Sequence, residues 1–265
     1  MFQSKEDKNH NPRRHVKQAR QPMIIGIRPL IEAMLAGKEI DKVLVQQGLK
    51  GDLYAELKEL LGEHKVPQQI VPVEKLNRIT RSNHQGIIAF VSPISYGNLE
   101  NMIAQVFEDG ETPLFLLLDG ITDVRNLGSI CRSAECLGAQ AIIVPEKGSA
   151  QINEEAIKTS AGALHHLPVC RIKSIAETVQ LLQQSGIQVV GCTEKTNLAI
   201  EDIDMTTPTC IAMGAEDLGL SDAVLRKADQ LALIPMKGKT SSLNVAVSAG
   251  IILHEASRQR RLIFK

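Results

Sequence analysis

Aromatic side chains are nearly missing: the 265 residues hold two tyrosines, five phenylalanines and no tryptophan. A nucleic acid bound here would therefore not rest chiefly on stacked aromatic platforms. Excess charge is lacking too, with 30 basic and 30 acidic residues. No apolar run approaches the ~20 residues needed to span a bilayer. Five cysteines occur, but none forms a C-x-x-C pair and none has a histidine at metal-ligand spacing. Their apolar neighbourhoods read as buried thiols in a reducing compartment, with no metal. The first residues are polar and charged, unlike a secretory signal. A soluble cytoplasmic protein is the expectation. The apolar share of 43% is ordinary for a globular chain, and the length suffices for two domains.

What charge there is lies unevenly. Residues 1–21 carry Lys5, Lys8, Arg13, Arg14, Lys17 and Arg20 against Glu6 and Asp7, with almost no apolar content. They read as a flexible basic arm. Such an arm fits an RNA or phosphate partner, or equally a solvated tail with none.

Residues 22–92 read as a small α/β unit. Strands are expected at 42–45, 68–71 and 87–91. Leu53, Leu57, Leu60 and Leu61 recur at helical spacing. The breaker-rich stretch from Ser92 to Asn98 and a short helix at 99–107 place a linker over 93–111. From residue 112 to 265 the pattern changes to strongly apolar strands at 114–118, 141–144, 189–190, 210–213 and 231–234, separated by helical segments. Strands alternating with helices predict an α/β fold with a mostly parallel sheet covered on both faces.

Three stretches there could carry chemistry. The first runs from Asp119 to Ala134, leaving a strand and entering a helix. Asn126 reads as its N-cap. Gly128 and Arg132 share a face, the glycine leaving room for an approaching group. The second, around Gly214, Glu216 and Gly219, follows a later strand. It predicts a tight loop with exposed amides at the carboxyl end of a sheet, where α/β proteins place ligands. The third runs from Ile234 to Ser248. Its Gly238-Lys239-Thr240 suggests a phosphate loop, but that pattern needs a glycine where Leu233 stands. Polar Ser241, Ser242 and Asn244 instead open a long helix to about Arg261. His165-His166 has no partner at metal spacing and reads as structural. Each stretch alone also fits an ordinary capped helix or turn.

In order, however, Asn126-x-Gly128-x-x-x-Arg132, Met213-Gly214-x-Glu216-x-x-Gly219 and Ile234-Pro235-Met236-x-Gly238-x-x-x-Ser242-Leu243-Asn244 resemble the three motifs of the SpoU (TrmH-type) branch of the SPOUT RNA methyltransferases. The resemblance covers roughly residues 114–261. Gly26-Ile27-Arg28-Pro29 and Asn83-His84-Gln85-Gly86 are similar to the ribosomal-protein-like RNA-binding domain of one subgroup, which methylates a guanosine 2′-oxygen in bacterial 23S rRNA.

The resemblance implies a deep trefoil knot in the C-terminal domain and S-adenosylmethionine as cofactor. Gly214, Ile234, Leu243 and Thr193, with Glu194, are then expected to line its pocket. It implies a homodimer through the C-terminal domain and direct transfer of methyl to a ribose 2′-hydroxyl without metal. Arg132 becomes the central catalytic candidate. A guanidinium normally stays protonated, so stabilising a developing alkoxide suits it better than acting as a base. Asn126, Glu216, Ser242 and Asn244 are its expected polar partners. Arg28, Arg81 and His84, with Lys75 and Arg78, are the charge-based candidates for RNA contact. A tRNA substrate in place of 23S rRNA, or a non-catalytic assembly factor of the same fold, stay open at this point.

Overall fold

The structure is a computed structural model that describes residues 22–240 and 242–263. The basic arm at 1–21 and Ser241 lie outside the described residues.

The N-terminal elements are β1 (Met23–Ile25), α1 (Ile27–Leu35), β2 (Ile40–Gln46), α2 (Asp52–Glu63), β3 (Gln68–Val71), α3 (Val73–Ile79) and β4 (Ile87–Val91). They form a four-stranded sheet of order β1-β4-β2-β3, with only the β2–β3 pair parallel. α1 and α2 bury Leu30, Ile31, Met34, Leu57 and Leu61 on one face, the i, i+3/i+4 rows visible in the sequence. On the other face Leu76 of α3 packs with Leu44, Val71 and Ile88.

The remaining elements are β5 (Tyr96–Gly97), α4 (Leu99–Glu108), β6 (Leu114–Asp119), α5 (Val124–Cys136), β7 (Ala141–Pro145), α6 (Glu154–Thr159), β8 (Val169–Ile172), α7 (Ile175–Gln184), β9 (Gln188–Cys192), β10 (Thr209–Gly214), α8 (Asp222–Lys227), β11 (Gln230–Ala232) and α9 (Val245–Ile263). Their seven-stranded sheet has order β11-β9-β10-β6-β7-β8-β5, and every pairing is parallel. Parallel strands need crossovers, which place helices on both faces. Accordingly β6 is buried at every position. α4, α7 and α8 cover one face, and α5, α6 and α9 the other.

The stretch read as a linker is built into this larger sheet. β5 pairs with β8, and Leu99, Ile103 and Val106 of α4 are buried in its core. β8 was not anticipated, because Arg171 interrupts its short apolar run. That arginine faces the smaller sheet. It stacks on Tyr96 at 3.5 Å from the ring centroid and bonds both the carboxylate and the carbonyl of Asp41 in β2. β11 ends at Ala232, earlier than the apolar run suggests, because Leu233 turns away to donate its amide to Leu198.

The far end of α9 is tied down by polar contacts. The Arg260 guanidinium donates to the carbonyls of Met205, Thr112, Pro113 and Thr207 at 2.6–3.0 Å. Gln259 bonds Met205 and Ile203 beside it. No helix among the described residues is long and apolar enough to cross a membrane.

The chain steps from β6 outward to β7 and β8, then crosses back to place β9 and β10 on the other side of β6. A parallel sheet whose order reverses in this way opens a crevice at the carboxyl ends of its strands. Here the loops after β6, β9, β10 and β11 converge.

Candidate active site at the carboxyl edge of the larger sheet

The loop after β10 is shaped by glycine. A Cβ on Gly214 would run into the backbone of Gly219 and Leu220, which folds back against it. Ala215 and Gly219 then exchange backbone hydrogen bonds at 3.1 and 2.9 Å, closing the loop. Beside it, the segment after β9 is held by the Thr193 amide donating to Ala232 at 2.9 Å. The Thr193 hydroxyl accepts from the Lys195 amide at 3.2 Å, and the residue is buried.

Between these loops lies a cavity of about 570 Å³. Thr193, Gly214, Ile234 and Leu243, the four cofactor candidates, all line it, together with Glu194, Glu216 and Ser242. That volume is in the range of small-molecule sites, about 300–1,000 Å³. Cys192 also lines it, and burial pushes its thiol up to about 12, so it stays a neutral thiol. A larger cleft of about 680 Å³ lies between the two sheets beside Arg171, but it holds none of the motif residues. Size alone does not mark the site.

At the rim, three of the polar candidates meet. The Asn244 side-chain amide donates to Asn126 Oδ1 at 3.1 Å and to Glu216 Oε1 at 2.7 Å. Its own Oδ1 accepts from the amides of Ala246 and Val247, so Asn244 also caps α9. Glu216 Oε1 receives the Val245 amide at 3.4 Å. One asparagine thus joins all three motifs: α5, the β10 loop and the start of α9. The helix begins at Val245, so Ser242 precedes it and is free to face the cavity.

Two expectations for α5 need correction. Its N-cap is Asp123, whose carboxylate accepts from the Arg125 and Asn126 amides at 2.8 and 2.9 Å. That releases the Asn126 side chain for Asn244. The space left by Gly128 is filled by α6 and not by a ligand: a Cβ there would lie 2.8 Å from the Ala156 carbonyl and from Thr159 Cβ.

Arg132 stands apart. It is exposed, does not line the cavity, and has no ion pair among the described residues. Six residues separate it from Asn126, about 9 Å along the helix axis and about 120° around it.

On the smaller sheet, Arg28 is exposed at the first turn of α1 and Arg81 in the turn before β4. These two places adjoin, since a Cβ on Gly26 would sit 3.3 Å from Gln85 Oε1. Lys75 and Arg78 are exposed on α3. His84 differs: it is buried, bonds Asn77 Oδ1 through Nε2 at 2.9 Å, and accepts the Gly86 amide at Nδ1 at 3.0 Å. Both ring nitrogens are engaged in shaping the turn, so the geometry makes it a turn residue where the sequence suggested an RNA contact. Sequence reasoning also passed over Asp119, the buried last residue of β6, whose only signal was a charge closing an apolar run.

Residues 113–254 match the family described as the SpoU rRNA methylase family, and residues 23–97 match the RNA 2′-O ribose methyltransferase substrate-binding family. A protein of Staphylococcus saprophyticus described as a TrmH family tRNA/rRNA methyltransferase is 33% identical over 91% of this chain and 97% of its own length. The SpoU methyltransferase AviRb of Streptomyces viridochromogenes, solved in complex with the cofactor AdoMet, is 30% identical with a TM-score of 0.59. The match covers 91% of this chain and 90% of that one. An AdoMet-bound rRNA methyltransferase of Sinorhizobium meliloti matches with a TM-score of 0.57 at 26% identity, covering 89% and 86%. With its three motifs joined around one cavity and a substrate-binding unit preceding them, this chain belongs to the SpoU (TrmH-type) family of RNA methyltransferases.

Proposed function

We propose that this protein transfers a methyl group from S-adenosylmethionine to a ribose 2′-hydroxyl, that of a guanosine in 23S rRNA. The observation that carries the reading is the convergence of Thr193, Gly214, Ile234 and Leu243 on one cavity, with the Asn126–Asn244–Glu216 contact at its rim. The cavity suits the cofactor. Its volume is adequate, and among its lining residues Glu194, Glu216 and Asp217 outnumber Lys195, which suits a cationic ligand. The cofactor, when bound, supplies a methyl group activated on a sulfonium centre.

The chain's own residues then have two tasks. The first is alignment, worth up to about 7–11 kcal/mol in favourable systems. Asn244 and Glu216 fix the loop and helix start that border the cavity, and Ser242 is placed to hold the substrate ribose. The second is charge. Arg132 stabilises the oxyanion that develops as the 2′-hydroxyl passes its proton to solvent water and S-adenosylhomocysteine leaves, a role that needs no deprotonated guanidinium.

The domains are assigned as 22–92 for RNA binding, 93–111 as a structured connection and 112–265 for methyl transfer, with the arm at 1–21 adding charge. The substrate-binding match and exposed Arg28 and Arg81 support the first assignment. The protein acts as a homodimer through the C-terminal domain. Val247 and Ile251 support this, lying one turn apart on α9 at 51% and 39% exposure. So does the position of Arg132, which a second copy can bring to a cavity its own chain does not offer it. The knotted path belongs to the same reading, supported by the packing of α9 on α5 and the pairing of Ala199 with Leu233. The five unpaired thiols support a cytoplasmic setting.

Methylation of 23S rRNA and tRNA isolated from a strain lacking the gene tests this directly. Ribose methylation of one 23S rRNA guanosine is expected. Methyl transfer to tRNA alone, or to a base, overturns the substrate assignment. Arg132→Ala should abolish transfer while calorimetry still shows cofactor binding. Near-normal turnover in that variant removes Arg132 from the chemistry.

A further inference from the structure

We infer that Asp119 is a positioning residue for the cofactor loop, acting through the backbone amide of Ser221; this rests on the S-adenosylmethionine-dependent reading above. Asp119 closes β6, is 6% exposed, and is one of two buried aspartates among the described residues. The other, Asp41, is committed to Arg171. Asp119 forms no ion pair among the described residues. Its Oδ2 accepts the Ser221 amide at 2.7 Å, across 102 residues of sequence.

The loop it holds is the one that borders the cavity. Asp119 is the register partner of Gly214, where that loop leaves β10. The loop turns back through the Ala215–Gly219 pair and enters α8 at Ser221. Its tip has little apolar anchorage: Leu218 is 80% exposed, and burial resumes at Leu220. Gly214 and Gly219 offer no side chain to pack. Hydrogen bonds at two ends therefore set its shape. Glu216 ties one end to the start of α9, and Asp119 ties the other to β6. Ser221 cannot replace the second tie, because its hydroxyl makes no capping bond and is buried without a partner among the described residues. Without the Asp119 carboxylate, a part-buried amide loses its acceptor, and residues 219–221 keep only the Ala215–Gly219 bonds and the burial of Leu220 to hold them beside the cavity.

The test uses the full chain, with cofactor affinity measured by calorimetry, RNA affinity by filter binding, and steady-state rates. Asp119→Ala should weaken S-adenosylmethionine binding about tenfold, equivalent to about 1.4 kcal/mol, and leave RNA affinity within about twofold. KM for the cofactor should rise while kcat holds, a split that general loosening of the fold would not give. Asp119→Asn keeps an oxygen that can accept the same amide and should recover most of the affinity. Ser221→Pro removes the donor instead, at a residue whose φ of −65° proline adopts. It should match Asp119→Ala, and the double variant should be no weaker than the worse single one. Unchanged cofactor affinity in folded Asp119→Ala, or additive losses in the double variant, overturns the proposal. If the alanine variant fails to fold by circular dichroism, wild-type affinity in Ser221→Pro overturns it equally. A wild-type protein that binds no S-adenosylmethionine sinks the proposed function instead.

Discussion

Replacing Arg260 with alanine should loosen the end of α9 from the sheet, and the geometry sets the size of the effect. One planar guanidinium serves four carbonyls on two separate pieces of chain: Thr112 and Pro113 before β6, and Met205 and Thr207 before β10. Three of the four bonds are part-buried. Hydrogen bonds from a charged donor contribute about 1.5–3 kcal/mol each in net terms. The truncation also removes the cost of desolvating the cation and lets water reach part of the freed surface. The expected net loss is therefore about 2–4 kcal/mol, at the upper end for single substitutions. Burial pushes the guanidinium down to about 10, still far above neutrality, so the loss should not vary between roughly pH 6 and pH 8. Lysine keeps the charge but is a single flexible point donor and cannot serve four carbonyls on both segments, so it should recover less than half. Urea unfolding gives the stability change, and hydrogen exchange of the α9 amides locates it. A loss under about 0.5 kcal/mol, typical of an exposed position, would refute the reasoning. So would full rescue by lysine.

Other outcomes follow from the same contacts. Gly128→Ala should lower stability by roughly 1–3 kcal/mol, seen as a reduced Tm, because the added methyl meets the α6 backbone. Asn244→Ala should weaken cofactor binding and fray the start of α9, since it removes a cap and the joint to Asn126 and Glu216; isothermal titration and amide exchange report the two effects separately. Val247→Glu with Ile251→Glu should convert a dimer to a monomer in sedimentation, and a dimer that persists would move the interface off this face of α9. Under native conditions near neutral pH, Cys136 should react first with a thiol reagent. Burial holds Cys131 and Cys210 near 12 and Cys170 near 11, so their thiolates form only at much higher pH.

Much of the fold was legible because periodicity and burial agree. β3 and β4 fall on the residues expected, while β6 extends its apolar run by one residue and β10 by one at each end. Where local pattern and tertiary demand diverge, the sequence misleads. Asp123 and Asn126 are both good caps, and only the structure shows that the helix starts at the first, releasing the second for the rim. Gly128 signals close approach but not by what, and the answer is another helix. His84 carries a polar ring in a basic neighbourhood, yet faces inward. Arg171 breaks a strand pattern because its partner is Asp41, 130 residues away in sequence. Gly214, Ile234 and Leu243, which line the cavity, stand on the ordered motifs, and Thr193 joins them from the end of a strand. Asp119 was not legible, because its contact links two segments that no local spacing relates.

The placement of β10 between β6 and β9 has a consequence for synthesis. β6 emerges from the ribosome with one neighbour, β7, soon available, but its other edge must wait until Leu114 can meet Thr209. At synthesis rates of about 5–20 residues per second, that interval is roughly 5–20 s. Throughout it, a strand apolar from Leu114 to Leu118 presents an open row of amides and carbonyls, the kind of edge to which stray strands add. A nascent chain of this protein should therefore depend on holding factors until residue 214 has left the exit tunnel, and chains truncated between β9 and β10 should aggregate where the full chain does not.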